Sequence, residues 1–313
     1  MRYGYACISM QLSYPQKYGG KEKGVQPITT GRSMIRRTFD TKGVDYASEL
    51  TLANVKDLNQ IISWNVINGY DFYRMSSDIT PWKTEYDWDD LKDIEQIRQW
   101  FHSAGTMATT HGIRLTTHPG PFNVLVSPHD HVVDNCVKDL TIHGDVMDMM
   151  GLSRTPYNKI NIHLGGVYGD KESAMDRFCK NFYKLPESVQ TKLTVENDDK
   201  ASMYSVKELY DGIYKRIGIP IVFDYHHHRF CDGGLSEQEA LELASSTWGD
   251  IKPVVHYSES RSIEQEDSKI RPQAHSDYVL DYIDTYGQEV DIMVEAKMKE
   301  LAVNKYKELH NVL

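Results

Sequence analysis

The chain has 313 residues, a formal charge of −10, 40% hydrophobic residues and 26% charged residues. These values are ordinary for a soluble globular protein. No apolar run approaches the roughly 20 residues of a membrane span, and the acidic balance argues against a general nucleic-acid binder, which is usually basic. Four widely spaced cysteines without a Cys-x-x-Cys pair indicate reduced thiols, and no signal peptide follows Met1, so we expect a cytoplasmic protein that does not associate with a membrane.

The hydrophobic pattern predicts eight strands that alternate with eight helices. The strands are predicted at 2–10, 71–75, 113–117, 159–163, 192–196, 221–224, 254–257 and 290–294. The helices are predicted at 48–68, 89–111, 128–150, 171–185, 205–217, 236–246, 276–286 and 297–310. The segments 11–46 and 259–274 lack periodicity, and we expect them to form long loops.

The alternation of strands and helices predicts a parallel sheet, and eight units fit a closed barrel. We therefore predict an α/β fold, a single-domain (β/α)8 TIM barrel over residues 1–313. The chain has no linker and no internal repeat of 20–50 residues. An open doubly wound sheet is the alternative, but it normally has a Gly-rich phosphate turn after its first strand. Gly19-Gly20 lies in the wrong context for that turn.

Metal-ligand side chains follow six of the predicted strands. Active sites of these barrels form at the carboxyl ends of the strands, and a carboxylate buried there needs a cation partner. Imidazole and carboxylate without thiolate suit zinc, manganese or iron. A carboxylate that bridges two ions makes a multi-metal site possible, and such sites favour phosphoryl chemistry. The six residues are His118, His163, Glu196, Asp224, His256 and Glu295.

Eight short motifs, in order along nearly the whole chain, resemble those of the UV damage endonuclease family, part of the endonuclease IV-like barrel superfamily. Each motif is weak alone, and together they are specific. They are Gly4-Tyr5-Ala6-Cys7, Tyr73-Arg74-Met75-Ser76-Ser77-Asp78, His118-Pro119-Gly120, His163-Leu164-Gly165-Gly166, Glu196-Asn197-Asp198, Asp224-Tyr225-His226-His227-His228, His256-Tyr257-Ser258 and Val294-Glu295-Ala296-Lys297.

The resemblance implies a site for two or three divalent ions, with manganese first and zinc, magnesium or cobalt as alternatives. His118, His163 and Glu196 would hold one ion. Glu196 would bridge to a second ion, which is also held by Asp224, His256 and Glu295. His227 and His275 would help to hold a third. We expect the catalytic centre to consist of Glu196, Glu295, His118 and His163.

Three positions depart from the family pattern. Gln273 stands where related enzymes have an Asp before the third-site His, and Val254 stands where some members have a Lys. Both changes affect the third ion. Pro121 replaces a Gln that often probes the DNA. Contact with a lesion at that position must therefore come from another group.

The expected partner is damaged double-stranded DNA. By resemblance Tyr5 is an aromatic wedge at the mouth of the barrel, with Phe122 as the next candidate, and such a ring can stack where damage has opened a base step. Arg32, Arg36 and Arg37 in the long first loop could contact phosphates. The chain lacks a P-loop, so no nucleotide cofactor is expected, and we expect a monomer.

The preferred hypothesis is a metal-dependent DNA repair endonuclease that cuts 5′ to UV photoproducts and leaves a 3′-hydroxyl and a 5′-phosphate. An apurinic-site endonuclease of the endonuclease IV type would share the metals and differ in lesion recognition. A metal-dependent sugar isomerase or epimerase would leave the basic first loop unexplained. A DNA-binding module that keeps metals only for stability is the alternative that is not an enzyme.

Overall fold

The computed structural model describes residues 1–312, and its eight strands form one closed barrel. Each strand pairs in parallel with the next one, and the last strand pairs with the first. The predicted TIM barrel is confirmed, and the open doubly wound sheet is wrong. In chain order the strands β1 to β8 are Tyr3–Ala6, Phe72–Met75, Arg114–Thr117, Ile160–His163, Leu193–Glu196, Ile221–Asp224, Val254–Tyr257 and Asp291–Val294.

Helices surround the barrel, and none in the described chain is long and apolar enough to cross a membrane. A π-helix, Tyr210–Tyr214, joins the short α-helices Val206–Leu209 and Lys215–Ile217. Short 3-10 helices occur at Lys83–Glu85, Trp88–Asp90, Pro156–Asn158 and Ser246–Trp248. In chain order α1 to α12 are Met10–Ser13, Arg36–Asn68, Ile94–Thr110, Asp130–Met149, Lys171–Phe182, Glu187–Gln190, Val206–Leu209, Lys215–Ile217, Tyr225–His228, Glu237–Ser245, Arg261–Glu264 and Glu300–Leu309.

The interior of the barrel is built in layers, because alternate residues of each strand point inward. At the amino-terminal end, Arg114 Nη1 and Asp291 Oδ2 form an ion pair of 3.0 Å between two fully buried side chains. The carboxyl end of the barrel carries the His and carboxylate residues. Phe72 and Val254 are the register partners of Arg114 and Asp291. They belong to an apolar cluster that consists of Ala6, Phe72, Val222, Trp248, Val254 and Met293.

The first strand is shorter than predicted, and the helix after it is longer. Cys7 has a φ of 71°, a left-handed conformation that ends β1. The helix α2 begins at Arg36 rather than at residue 48, with a break at Gly43 (φ 66°, ψ −161°). Its buried residues begin only at Ala47. The exposed first turns therefore lack the apolar periodicity from which the sequence predicts a helix.

The helix predicted at 276–286 is wrong. Side-chain acceptors from elsewhere take the backbone N–H groups that a helix would use. Glu264 accepts from Asp277 N and Tyr278 N at 2.7 and 2.9 Å. Glu259 Oε1 accepts from Leu280 N and Asp281 N at 2.7 and 2.8 Å. These charge-assisted bonds stabilise an irregular segment between β7 and β8.

Candidate metal centre at the barrel mouth

Seven of the eight predicted metal ligands lie together at the carboxyl ends of the strands. The strand register explains this, since His163 is the partner of Glu196 across β4 and β5, and Asp224 is the partner of His256 across β6 and β7. The seven form three groups whose ligand atoms lie within 4.8 Å of one another. The groups are His118, His163 and Glu196; Glu196, Asp224 and His227; and Asp224, His256 and Glu295.

Glu196 lies at the centre of this cluster and is 1% exposed. Its Oε2 is 3.1 Å from His118 Nε2 and 3.9 Å from His163 Nε2. Its Oε1 is 3.1 Å from His256 Nδ1 and 3.5 Å from His227 Nδ1. One carboxylate therefore faces four imidazoles with its two oxygens directed at different pairs, which suits a bridging ligand.

Backbone carbonyls orient two of the imidazole rings. His118 Nδ1 lies 3.1 Å from Pro119 O, and His227 Nδ1 lies 2.9 Å from Asn197 O. A carbonyl only accepts, so each Nδ1 is placed to donate its hydrogen to it. Such partners fix the orientation of a metal-binding His. In His118 this directs Nε2, which lies 3.1 Å from Glu196 Oε2, at the cluster.

Burial and charge move the pKa values in the cluster in opposite directions. Burial, reinforced by Glu196 and Glu295 and opposed by His227, raises the pKa of Asp224 to about 7. Burial also raises the pKa of Glu196, but His256 and His163 outweigh it and hold that pKa well below its usual range. Burial lowers the pKa of His163, while the Glu196 and Asp198 carboxylates raise it to about 9.

Two basic residues, one fully buried and one partly buried, lie in the barrel beside the cluster, and the sequence reasoning missed both. Arg74 on β2 donates from Nη1 to Glu295 Oε1. Lys159, which is fully buried, places Nζ 3.1 Å from His256 Nε2, and burial lowers its pKa to about 7. The sequence signal that could have found them is a charged residue within an apolar strand. Lys159 also precedes the ligand His163 by four residues, an even spacing that places both side chains on the same, inward face of the strand.

Two polar residues next to the ligands were missed as well. Asn161 donates from Nδ2 to Glu196 Oε2, and its own Oδ1 accepts from Thr194 Oγ1 at 2.7 Å. Asp198 Oδ1 lies 3.2 Å from His163 Nδ1. These contacts hold the Glu196 carboxylate and the His163 ring in place, as the outer partners of metal ligands do.

The residues of the cluster fit divalent cations. Asp224 Oδ2 is buried and has no hydrogen-bond partner within residues 1–312. His256 Nδ1 lies 3.1 Å from carboxylate oxygens of both Glu196 and Glu295 but is aligned for a hydrogen bond with neither. Buried polar atoms are normally satisfied. Unpartnered atoms in a mixed imidazole and carboxylate set are what a bound cation would satisfy.

His275 lies beside the cluster and belongs to none of the three groups in the described chain. A single antiparallel bridge to Ser260 positions it, and its Nδ1 lies 2.8 Å from Glu295 O. Its ring centroid is 6.3 Å from that of His227. Its role at a third ion stays a prediction. The neighbouring imidazole of His226 packs on Phe230 instead of joining the three groups.

The prediction that Tyr5 is an aromatic wedge at the mouth is wrong. The side chain is fully buried on the outer face of β1, where it packs against Tyr70 and Tyr73 with ring centroids 5.4 and 5.1 Å away. Its hydroxyl donates to Asn65 Oδ1 of α2 at 2.6 Å. The sequence reasoning assigned the wrong face of a short strand, and a one-residue change of parity moves a side chain to the other face.

The three arginines predicted to lie in the first loop differ in whether their charges are paired, and Arg36 and Arg37 lie in the first turn of α2 rather than in a loop. Arg32 is tied to the protein by a 2.7 Å ion pair with Asp57. Arg36 is exposed but pairs with Asp40 and Glu85 at 2.8 and 3.1 Å. Arg37 is exposed and forms no ion pair with another residue of the described chain. Of the three, Arg37 is the one whose charge is available to a phosphate.

The loop after β3 carries the other predicted contacts. Pro121 is exposed, and Phe122 is 88% exposed. Asn123 Nδ2 donates to Gly120 O and to Asp139 Oδ2 at 3.1 and 2.8 Å, which fixes the turn that presents the ring. Phe122 is an exposed apolar ring four residues after His118, and it therefore remains the candidate for the aromatic wedge.

Fold and site together define a TIM barrel with a buried His and carboxylate cluster at the carboxyl ends of its strands, where barrel enzymes have their active sites. Comparison with known proteins identifies the family within this class. The family model of UV-endonuclease UvdE matches residues 1–312. The chain belongs to this family, and its class is that of a nuclease that acts on phosphodiester bonds.

Relatives and solved structures agree. A UV DNA damage endonuclease of Bacillus mycoides (strain KBAB4) is 34% identical over 83% of this chain and 81% of its own. The UV-damage endonuclease of Schizosaccharomyces pombe is 33% identical over 96% of this chain, which spans 49% of that protein. The crystal structure of SacUVDE matches all of both chains with a TM-score of 0.81 and 28% identity.

A sugar epimerase has a similar barrel. The D-psicose 3-epimerase of Clostridium cellulolyticum H10 matches 81% of this chain and 86% of its own, with a TM-score of 0.51 and 14% identity. At that identity the likeness is one of fold alone.

Proposed function

We propose that this protein is a metal-dependent DNA repair endonuclease that cuts the phosphodiester bond 5′ to a UV photoproduct and leaves a 3′-hydroxyl and a 5′-phosphate. The observation that carries the proposal is Glu196, a buried carboxylate with four imidazoles within 3.9 Å at the mouth of the barrel. The names of the relatives support the choice of DNA as substrate and of UV damage as the lesion.

The cluster would hold two or three divalent ions, with manganese as the first candidate. Bound there, they would offset the charge that develops on the scissile phosphate and make a water molecule more acidic. Under this proposal His275 contributes to a third ion. The residues that would hold the ions are His118, His163, Glu196, Asp224, His227, His256, His275 and Glu295.

The protein's own side chains would prepare the cluster and position the DNA. Arg74 and Lys159 contact Glu295 and His256 from within the barrel. Phe122 would stack against a base step that the lesion has opened, since an exposed ring can pack on any base face. Arg37 would contact a phosphate of the same duplex.

The test uses three labelled duplexes of one sequence: UV-irradiated, abasic and undamaged. Protein loaded with manganese should cut only the irradiated duplex 5′ to the lesion, and a chelator should abolish the cut. A 3′ end that a polymerase can extend and a 5′ end that a ligase can join would identify the products. Preferential cutting of the abasic duplex would replace the proposal with an apurinic-site endonuclease. DNA binding without cutting of any duplex would contradict catalysis.

A further inference from the structure

An exposed tyrosine stands in the loop after β4. Tyr168 is 48% exposed and has a φ of 50°, the left-handed region that non-glycine residues rarely enter. A conformation of this kind costs free energy, and it persists where the surrounding structure enforces it, often at functional sites. The loop therefore holds this ring in solvent at the expense of backbone strain.

The neighbours of Tyr168 fix the direction of its ring. A Cβ atom on Gly166 would lie 3.2 Å from the Tyr168 ring, so the absence of a side chain there allows the ring to lie close to the backbone. Tyr204 Oη lies 3.4 Å from Gly166 O and braces the loop. The Arg177 guanidinium lies 5.7 Å from the ring centroid. Arg177 Nη2 is buried and has no hydrogen-bond partner in the part of the chain that the structure describes, and Asp170 lies near enough for its charge to act on this cation.

The loop that carries Tyr168 packs against the loop that carries Phe122, and we call these two loops together the ledge. A Cβ on Gly165 would lie 2.8 Å from Val124 Cγ1, so the Gly165 backbone packs directly against the Val124 side chain, which only a glycine allows. Arg177 Nε donates to Val126 O at 2.6 Å. From the same helix, α5, Asn181 Nδ2 donates to Leu125 O at 2.8 Å. The exposed rings of Phe122 and Tyr168 are thus carried on one connected surface.

The ledge borders the candidate metal centre. Phe122 follows His118 by four residues, and Tyr168 follows His163 by five. Five residues span at most about 18 Å of chain, so Tyr168 lies within reach of a duplex whose phosphate is at the centre. Asp170, the carboxylate nearest along the loop, is occupied in capping α5 through Glu172 N at 3.1 Å.

We infer that Tyr168 is a second DNA-contacting aromatic residue. Its ring packs on a nucleotide of the damaged duplex beside the one that Phe122 meets, and the Arg177 guanidinium supports the ring from the protein side. This inference rests on the proposed function in its choice of DNA as ligand. It assigns Tyr168 to affinity for DNA and not to the cutting step.

Three substitutions test the inference: Tyr168→Ala, Tyr168→Phe and Tyr168→Gly. Loss of the ring should weaken binding of an irradiated duplex by about five- to a hundredfold, the range of base–aromatic stacking. Phe should bind like the wild type, because the ring provides the contact. Gly accepts a φ of 50° without strain, so its melting temperature should be at least that of the wild type while its affinity falls. A merely structural role for Tyr168 would not separate stability from affinity in this way.

Tyr183→Ala is the matched control. Tyr183 is 66% exposed and follows the carboxyl end of α5, whereas Tyr168 precedes the amino end of the same helix. Twelve helical residues separate the two sites by about 18 Å, and the control should bind DNA normally.

Two readouts on the metal-loaded proteins keep the inference separate from the proposed function. Fluorescence anisotropy at low temperature gives the dissociation constant, and single-turnover cutting at saturating protein gives the rate, which should change less than about threefold. Wild-type affinity in both Tyr168→Ala and Tyr168→Gly overturns the inference. A wild type that binds but does not cut overturns the proposed function, and the anisotropy series still decides Tyr168. Absence of DNA binding by the wild type overturns both.

Discussion

Two aspartates at opposite ends of the barrel interior have the same burial and opposite surroundings. Asp291 and Asp224 are both fully buried. Asp291 accepts from Arg114 Nη1 and Arg2 Nη1 at 3.0 and 3.1 Å and from Arg2 N at 3.0 Å. Asp224 accepts from His227 N at 2.8 Å through Oδ1, while its Oδ2 has no partner anywhere in residues 1–312.

The pKa values follow these surroundings. Burial raises the pKa of Asp291, but Arg114 and the other donors outweigh it and lower it below its usual value. Burial raises the pKa of Asp224 to about 7. A buried carboxylate whose cations come from the chain stabilises the fold. A buried carboxylate whose pKa is raised by its surroundings has no cation from the chain and is suited to bind a cation from solution.

The largest effect is expected at the amino-terminal end. Asp291→Asn removes one partner of a fully buried ion pair and leaves Arg114 without its counter-charge, so the free energy of unfolding should fall by about 3–5 kcal/mol. Urea titration monitored by circular dichroism measures it. A loss below about 1 kcal/mol would contradict the structural role of this aspartate.

Glu196→Gln should act on function and not on the fold. It removes the charge that four imidazoles face, so cutting of an irradiated duplex should fall by about 10²–10³-fold, and fewer ions should remain bound. Metal content by mass spectrometry and single-turnover kinetics measure both. Glu289→Gln, at an exposed carboxylate, is the control. Full metal content with near-normal cutting would refute the bridging role of Glu196.

The smallest effect is a pH dependence. Metal-free Asp224 and His163, with pKa values raised to about 7 and about 9, hold protons that a metal ion must displace. Metal affinity should therefore rise with pH between 6 and 8, by about tenfold per unit for each proton released. Calorimetric titration in buffers of different ionisation enthalpy counts the protons.

Asp224→Asn carries no titratable proton, so its affinity should be lower and rise less steeply with pH. Asp291→Asn should keep the wild-type slope. Equal slopes for the wild type and Asp224→Asn would mean that Asp224 is already ionised in the metal-free protein.

The carboxyl ends of the strands were predictable because apolar runs there stop at His, Glu or Asp. Six of the eight expected ligands converge for that reason, and His227, which was expected from the family resemblance, joins them from α9. Arg74 and Lys159 were not predicted, because the sequence alone does not show whether a charged side chain within a strand points into the barrel or away from it. For the same reason, the Tyr5 side chain was assigned to the inner face of β1, although it lies on the outer face.

The helix expected at 276–286 failed for a different reason. Its backbone is bound by Glu259 and Glu264, which lie more than ten residues earlier in the chain. Helix propensity describes local preference only, and tertiary contacts override it.

The break at Gly43 divides α2 into two parts that should differ in local stability. The part after Gly43 buries residues from Ala47 to Asn65, whereas the first turns bury none. Amides of 36–42 should exchange with solvent through local opening at little cost, while those of 47–65 should exchange only when the barrel unfolds. Arg36 and Arg37 occupy the positive end of the helix dipole without an acidic residue in the first turn, which weakens that end further. The two parts of α2 thus join a slowly exchanging wall of the barrel to a rapidly exchanging arm beside its mouth.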